Sequence, residues 1–550
     1  MKKLLFSLLL VVILSPTVNC QDNPAITKQL YLENFNTAKR MLKASIANPS
    51  PANTEDMCTL GKLYLKSNQI DSAKNCFDLA LKVNLKSTGA YAGLAKISIL
   101  SGDFKGAEVY LDNIYKIDKG KDANIFIEIA DAYFTPKKKY YTQVMKYLDK
   151  AKAVDKSNTA IYISKGDYFL NCDSAGKAAN EYERAISIEE KNIKAQTRIG
   201  WIFSLSKNFP EAQKAYIKAL QIDSMYAPAL RQLSDLYYSK GMYSKALPLY
   251  RNLMTVSEYD FNQQLRYATL LFQNKAYDEA CPVCDKAMND DPKNIVAKRI
   301  KSYSLFELKK YPEGLSLIQD VVTRKDTENI MLLDYEYYAK LLGQSEKDSI
   351  ALIYYFKVVK ADTSKKELYE PIAKSFDKLK KYDKAIEYYE KLIASKPAPT
   401  ATDYFMLSRS CYNQGNTLTG TPDTTLRLSY YKKADTSLAM VIIKSPQSHL
   451  GYFWRARVNA LLDPETEKGL AKPYYEKADS IMSLNASKFK KELVESYQYL
   501  GYYFYLKGER DKDSSKLFKE DNENSKIYWN KLLEIDPENA KAKEALKGIK

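Results

Sequence analysis

One pair of residue types recurs along this 550-residue chain at a spacing that few folds can accommodate. A small residue stands at Ala178, Ala212, Ala246, Ala280 and Gly314, each 34 residues after the last. A larger one follows four positions later, at Tyr182, Tyr216, Tyr250, Cys284 and Ile318. With less regular steps the pair extends from Ala73/Phe77 to Ser525/Trp529, thirteen times in all. A separation of four places both members on one helix face. Apolar residues recur at spacings of three and four in both halves of each period, which predicts two amphipathic helices per period. One helical hairpin cannot bury its apolar face alone, so neighbours must stack into a continuous core.

Residues 57–80, "MCTLGKLYLKSNQIDSAKNCFDLA", show the fuller pattern: Leu60-Gly61, Tyr64, Ala73, Phe77 and Ala80 fall on L-G-x2-Y…A-x3-F…A. This resembles the tetratricopeptide repeat (TPR) family, in which helices A and B form each unit. Columns are numbered here so that Gly61 is column 8, which makes the small residue column 20 and the large one column 24. The resemblance implies an all-α, right-handed superhelical solenoid of about thirteen repeats. After a leader (1–20) read from its own residue pattern, the chain divides into an N-terminal partial or capping repeat (21–52), a regular array of repeats 1–10 (53–398), irregular repeats 11–13 (399–538) and a C-terminal capping helix (539–550). The same scheme largely absorbs the surplus of tyrosine, 45 in all, which recurs in columns 4 and 17 at packing positions whose hydroxyls reach the turns.

Four repeats break the period between columns 11 and 20: the third, eleventh, twelfth and thirteenth. The extra residues fall in the turn from helix A to helix B. The eleventh insertion, "NQGNTLTGTPDTTLRLS", predicts a Gly/Thr/Pro loop, and the thirteenth, "KGERDKDSSKLFKEDNE", a charged one. Such turns project from one edge of a solenoid, where insertions often mark a binding face. Exposed turns also tolerate length at little cost, about 0.6 kcal/mol per doubling.

In the family, columns 2, 5, 9, 12 and 13 of helix A line the concave groove. Carried over by column, they give a partner-binding patch of Phe405, Arg409, Tyr412, Phe453, Arg457, Gln498, Tyr502 and Tyr505. A second, scattered group is Trp201, Arg231, Tyr238, Phe272, Arg299, Tyr303 and Phe306. Aromatic and Arg side chains are the usual anchors of interfaces. The plainer expectation is that some of these rings pack against the next helix. Chaperone-binding members of the family share a Lys/Asn clamp at columns 5 and 9; Cys58/Lys62, Ala92/Lys96 and Ile127/Asp131 stand there instead.

Little in the sequence points to catalysis, a cofactor or a metal. His449 is the only histidine, no phosphate-binding glycine pattern appears, and no Ser or Cys sits in a nucleophile motif. Cys281-Pro-Val-Cys284 has dithiol spacing, but no second pair completes a zinc site. No strand precedes it as thioredoxin-like chemistry expects. The first residues, "MKKLLFSLLLVVILSPTVNC", read as a secretory signal with cleavage before Gln21. The rival reading lipidates Cys20, for which Asn19 is a poor preceding residue. Either way the expected location is the periplasm or the outer-membrane-associated envelope, without a transmembrane span in the mature chain. The net charge of +17 is dispersed, and export argues against a nucleic-acid partner. The leading expectation is a non-enzymatic protein–protein interaction scaffold of the bacterial envelope. The alternatives are a glycan or cell-wall binder and, more remotely, a thiol redox protein using Cys281 and Cys284.

Overall fold

The computed structural model describes residues 23–134, 140–324, 327–420 and 422–549. The leader 1–20, with Cys20 and the start at Gln21, lies outside the described residues. Among the described residues every regular element is a helix. The chain divides into two compact units, Met1–Ile300 and Lys301–Lys550.

Within each unit the helices pair in sequence order. Repeat 1 is Thr54–Lys66 with Ile70–Val83, and repeat 5 is Ile193–Leu205 with Phe209–Ile222. The turn between the two helices is built the same way in most repeats. A residue with left-handed backbone (Asn68, Asp173, Lys207, Lys275, Lys309, Glu346, Lys380) follows helix A. The next amide then donates to a carbonyl five residues back, as Gln69 does to Tyr64 (2.9 Å), Asn208 to Phe203 (2.8 Å) and Lys381 to Phe376 (2.9 Å). This six-to-one bond closes the orphan carbonyls of helix A and sets the angle at which helix B turns back. Among the described residues, glycine takes this left-handed position at Gly102 and Gly241, where it removes the Cβ penalty.

The recurring pair is the seam of each hairpin. Column 20 alanines such as Ala73, Ala178, Ala212 and Ala246 are fully buried, and so are the column 24 rings Phe77, Tyr182 and Tyr216. Those rings close directly on the column 8 glycine. A Cβ on Gly61 would fall 2.5 Å from Phe77 Cε1, one on Gly166 2.5 Å from Tyr182 Cε1, and one on Gly200 2.6 Å from Tyr216 Cε1. Where column 8 is serine, the hydroxyl donates across the seam instead: Ser234 Oγ to the Ala246 carbonyl (3.2 Å) and Ser302 Oγ to that of Gly314 (2.8 Å).

The insertions in the C-terminal unit depart from expectation. In repeat 11, helix A runs over Ala401–Thr417 and helix B over Thr424–Lys444, so most of the predicted loop is helix. The reason is a second ring-on-glycine contact one level up. Tyr431 covers Gly415, where a Cβ would lie 2.4 Å from Cε1, and its hydroxyl donates to Asn416 Oδ1 (2.8 Å). Repeat 13 also lengthens both helices, to Lys490–Arg510 and Ser515–Ile535. Phe504 stacks on Tyr528 at 5.7 Å and Lys507 pairs with the buried Asp521 at 2.9 Å. In repeat 12 residues 463–471 form a true loop. The carboxylate of Asp463 accepts from the amides of Lys468 (3.0 Å) and Leu470 (3.3 Å). From the lengthened hairpin, Arg510 donates to the carbonyls of Glu465 (3.3 Å) and Thr466 (3.0 Å). The insertions of repeats 12 and 13 therefore brace each other. The third insertion lies partly outside the described residues.

Candidate interaction surfaces

Helix A of repeat 11 (Ala401–Thr417) and helix A of repeat 12 (His449–Leu462) bring part of the predicted C-terminal patch together. Phe405, Arg409 and Tyr412 follow at spacings of four and three and share a face. At their centre stands a residue that column transfer missed, Trp454. Phe405 meets it edge-on at 5.8 Å and Tyr412 at 5.5 Å. The Arg409 guanidinium lies 5.9 Å and that of Arg457 4.9 Å from its ring. Perpendicular rings place positive edges on a negative face, and a guanidinium over an indole gains cation–π attraction. Trp454 sits at column 6, one position beyond the groove column of Phe453. Its being one of three tryptophans, beside Arg455 and Arg457, was the available signal.

The rest of the patch separates. Phe453 is buried at 2% exposure and packs edge-on against Tyr475 at 6.0 Å, so it belongs to the core and offers no surface. Arg457 is committed to Glu495 through a two-pronged ion pair, Nε–Oε1 2.6 Å and Nη2–Oε2 2.5 Å. The hydrogen bonds to Glu495 hold its guanidinium above the usual arginine value despite burial. Tyr475 also donates to Glu495, at 3.1 Å. Arg409, by contrast, is exposed and has no ion-pair partner among the described residues. Gln498, Tyr502 and Tyr505 lie on helix A of repeat 13; Tyr502 is 50% exposed. None of the three touches the Trp454 cluster through a ring contact among the described residues.

The second predicted group is divided between the two units. Trp201, Arg231, Tyr238, Phe272 and Arg299 belong to the N-terminal unit, whereas Tyr303 and Phe306 belong to the other. Tyr238, Phe272 and Phe306 each lean on the tyrosine five residues later, at 5.5, 5.7 and 5.7 Å. All three are half-buried and pack against the A-to-B turn. Tyr303 is buried, donates to Asp334 Oδ1 at 2.7 Å and stacks on Tyr337 at 4.0 Å. Arg299 is buried, Trp201 is half-buried, and Arg231 pairs with Glu33 at 3.3 Å.

The cysteines occupy packing slots. Cys284 is fully buried at column 24, and Cys281 is half-buried in the same helix, Tyr277–Asp290. Cys58 and Cys411 are buried, which pushes both thiols up to about 12, far from a reactive thiolate at neutral pH. Titration with a thiol reagent at pH 8 is expected to modify Cys172 and Cys281 in the native chain. Cys58, Cys284 and Cys411 should react only after denaturation, and fast native labelling of Cys284 would contradict this placement. His449 opens a helix behind the N-cap Ser448, with its ring 4.3 Å from Phe489; burial lowers its pKa. Among the described residues no cluster of three His, Cys, Asp or Glu side chains could hold a metal. No helix there is long and apolar enough to cross a membrane.

Comparison with known proteins agrees with the repeat geometry. Residues 57–87 and 367–399 match the family model described as tetratricopeptide repeat. Residues 239–321 match that of anaphase-promoting complex, cyclosome, subunit 3. A TPR repeat-containing protein of Methanocaldococcus jannaschii is 25% identical over 170 residues, a match spanning 30% of each chain. The solved C-terminal part of a TPR repeat-containing protein of Cytophaga hutchinsonii is 30% identical; the match covers 51% of this chain and 99% of that one, with a TM-score of 0.40. YrrB, a TPR protein described as having an unusual peptide-binding site, is 16% identical over 34% of this chain and 96% of its own, with a TM-score of 0.31. Its repeated hairpins, the tetratricopeptide-repeat matches at residues 57–87 and 367–399 and the similarity to the Methanocaldococcus jannaschii protein together support the tetratricopeptide-repeat reading of this chain.

Proposed function

We propose that the chain is a non-enzymatic scaffold of the bacterial cell envelope that holds a protein partner on the helix-A face of repeats 11 and 12. The observation that carries this reading is the Trp454 cluster, in which two rings and an exposed, ion-pair-free Arg409 surround a half-buried indole. Such a surface buries large apolar area at small entropic cost and presents one cation. Arg409 rather than Arg457 supplies that charge, because Glu495 already satisfies the Arg457 fork. The partner segment is accordingly one that carries a carboxylate beside an apolar or aromatic side chain. The envelope location rests on the leader-like residues 1–20, and scaffolding is a common use of this fold.

Pull-down from envelope extracts tests the reading. Trp454→Ala and Arg409→Ala are each expected to weaken capture of the specific partner roughly 30-fold, the size of an interface hot spot of about 2 kcal/mol. Tyr502→Ala, outside the cluster, should leave capture unchanged. Full recovery with the Trp454 and Arg409 variants, their helical content intact, would reject this surface.

A further inference from the structure

The residues before repeat 1 do more than cap the array. Helices Pro24–Tyr31 and Phe35–Ser45 form a hairpin whose turn reaches residues some 200 positions away in the same compact unit. Tyr31 donates its hydroxyl to Asp223 Oδ2 (2.9 Å), with its ring 4.8 Å from that of Tyr226. Leu32 is buried in the cluster that holds Leu230 and Leu233. Glu33 pairs with Arg231 at 3.3 Å. Asn34 reads backbone on both sides of its amide: Nδ2 donates to the Val256 carbonyl (2.8 Å), and Oδ1 accepts from the Glu258 amide (2.8 Å).

That arrangement has a cost at the helix it precedes. Asn34 is the N-cap of Phe35–Ser45, yet its side chain makes no capping bond there. Glu258 supplies the missing acceptors. Its Oε1 accepts from the Asn36 amide at 3.1 Å and its Oε2 from that of Thr37 at 2.8 Å. A carboxylate on the first free amides of a helix satisfies orphan donors and complements the helix dipole. The cap of this helix thus comes from the connection between repeats 6 and 7, and the contact reads helix geometry as well as side chains.

We infer that residues 223–231 and 256–258 form a docking site for a helix-start segment bearing tyrosine, leucine, an acid and asparagine. Residues 31–37 are its built-in occupant. A second protein of the same chemistry reaches this surface of the N-terminal unit only by displacing the hairpin. Because the occupant belongs to the same chain its docking is intramolecular, and a free competitor has to overcome that advantage.

The experiment uses the full chain and a labelled synthetic peptide of residues 23–45. The variant Tyr31→Ala/Glu33→Ala/Asn34→Ala loosens the chain's own occupant and leaves the docking residues intact. It is expected to bind the peptide at least tenfold more tightly than the wild-type chain does. Adding Arg231→Ala and Glu258→Ala should abolish that gain. No binding to the triple variant, or equal binding to it and the wild type, overturns the inference. Hydrogen exchange gives a second, independent readout. The Asn36 and Thr37 amides should be protected in the wild type and exchange at least tenfold faster in Glu258→Ala, with the helix Ala227–Ser239 unchanged. Protection that survives Glu258→Ala also overturns it.

Discussion

Phe77→Ala is expected to lower the stability of the N-terminal unit by about 3–5 kcal/mol, the range for truncating a buried aromatic side chain. The ring is 0% exposed and wedged between two glycines of successive repeats. A Cβ on Gly61 would fall 2.5 Å from Cε1, and one on Gly93 2.3 Å from Cζ. Rigid helix backbone on both sides cannot collapse into the space the ring leaves. The converse change, Gly93→Ala, overpacks the same seam and should cost about 1–3 kcal/mol. The two changes concern one contact, so they should couple. In Phe77→Ala/Gly93→Ala the alanine methyl has room, and the cost of Gly93→Ala should largely vanish. Urea midpoints of the four chains, followed by circular dichroism, measure the cycle; additive losses would show that the glycines are not there to receive the ring.

The second large effect is electrostatic and belongs to the C-terminal unit. Asp479, on helix B of repeat 12, is 7% exposed. It accepts from Ser496 Oγ in the next helix A through one oxygen, and its Oδ2 has no hydrogen-bond partner. Burial is the main cause that pushes its carboxyl up to about 7, against roughly 3.9 in an unfolded chain. Between those values the folded chain binds the proton and the unfolded chain has released it. Stability therefore falls as pH rises from about 4 to 7, and the loss is complete above 7. A shift of this size corresponds to roughly 2–4 kcal/mol. Asp479→Asn keeps the acceptor for Ser496 and removes the titration. The variant and wild type should be similar in stability near pH 4, and the variant more stable by that margin at pH 8. Parallel stability profiles over this pH range would show that Asp479 stays ionised in the folded chain.

These two sites show what kind of statement the sequence supports. The Phe77–Gly61 contact was legible as a column pair, because its members lie in one hairpin and recur with the period. Asp479 was not, because its fate depends on which atoms of the next repeat surround each oxygen. The candidate surface divides in the same way. Column transfer brought Phe405, Arg409 and Tyr412 to one face, since spacings of three and four on a helix leave little choice. It placed Phe453 outward and passed over Trp454, because a one-column rotation of helix A in an irregular repeat exchanges inside for outside.

The repeat period alone determined that this chain forms helical hairpins with a small-on-large seam, because a 34-residue recurrence of that pair leaves stacking as the way to bury both faces. Tertiary structure decided what became of the irregular segments. Gly415 and Tyr431 turned a stretch rich in loop formers into helix, since a buried ring on a glycine outweighs local propensity. It also decided where the first hairpin docks. Nothing local links Asn34 to Val256 or Glu258 to Thr37; only the path of the intervening repeats brings those groups within hydrogen-bonding distance.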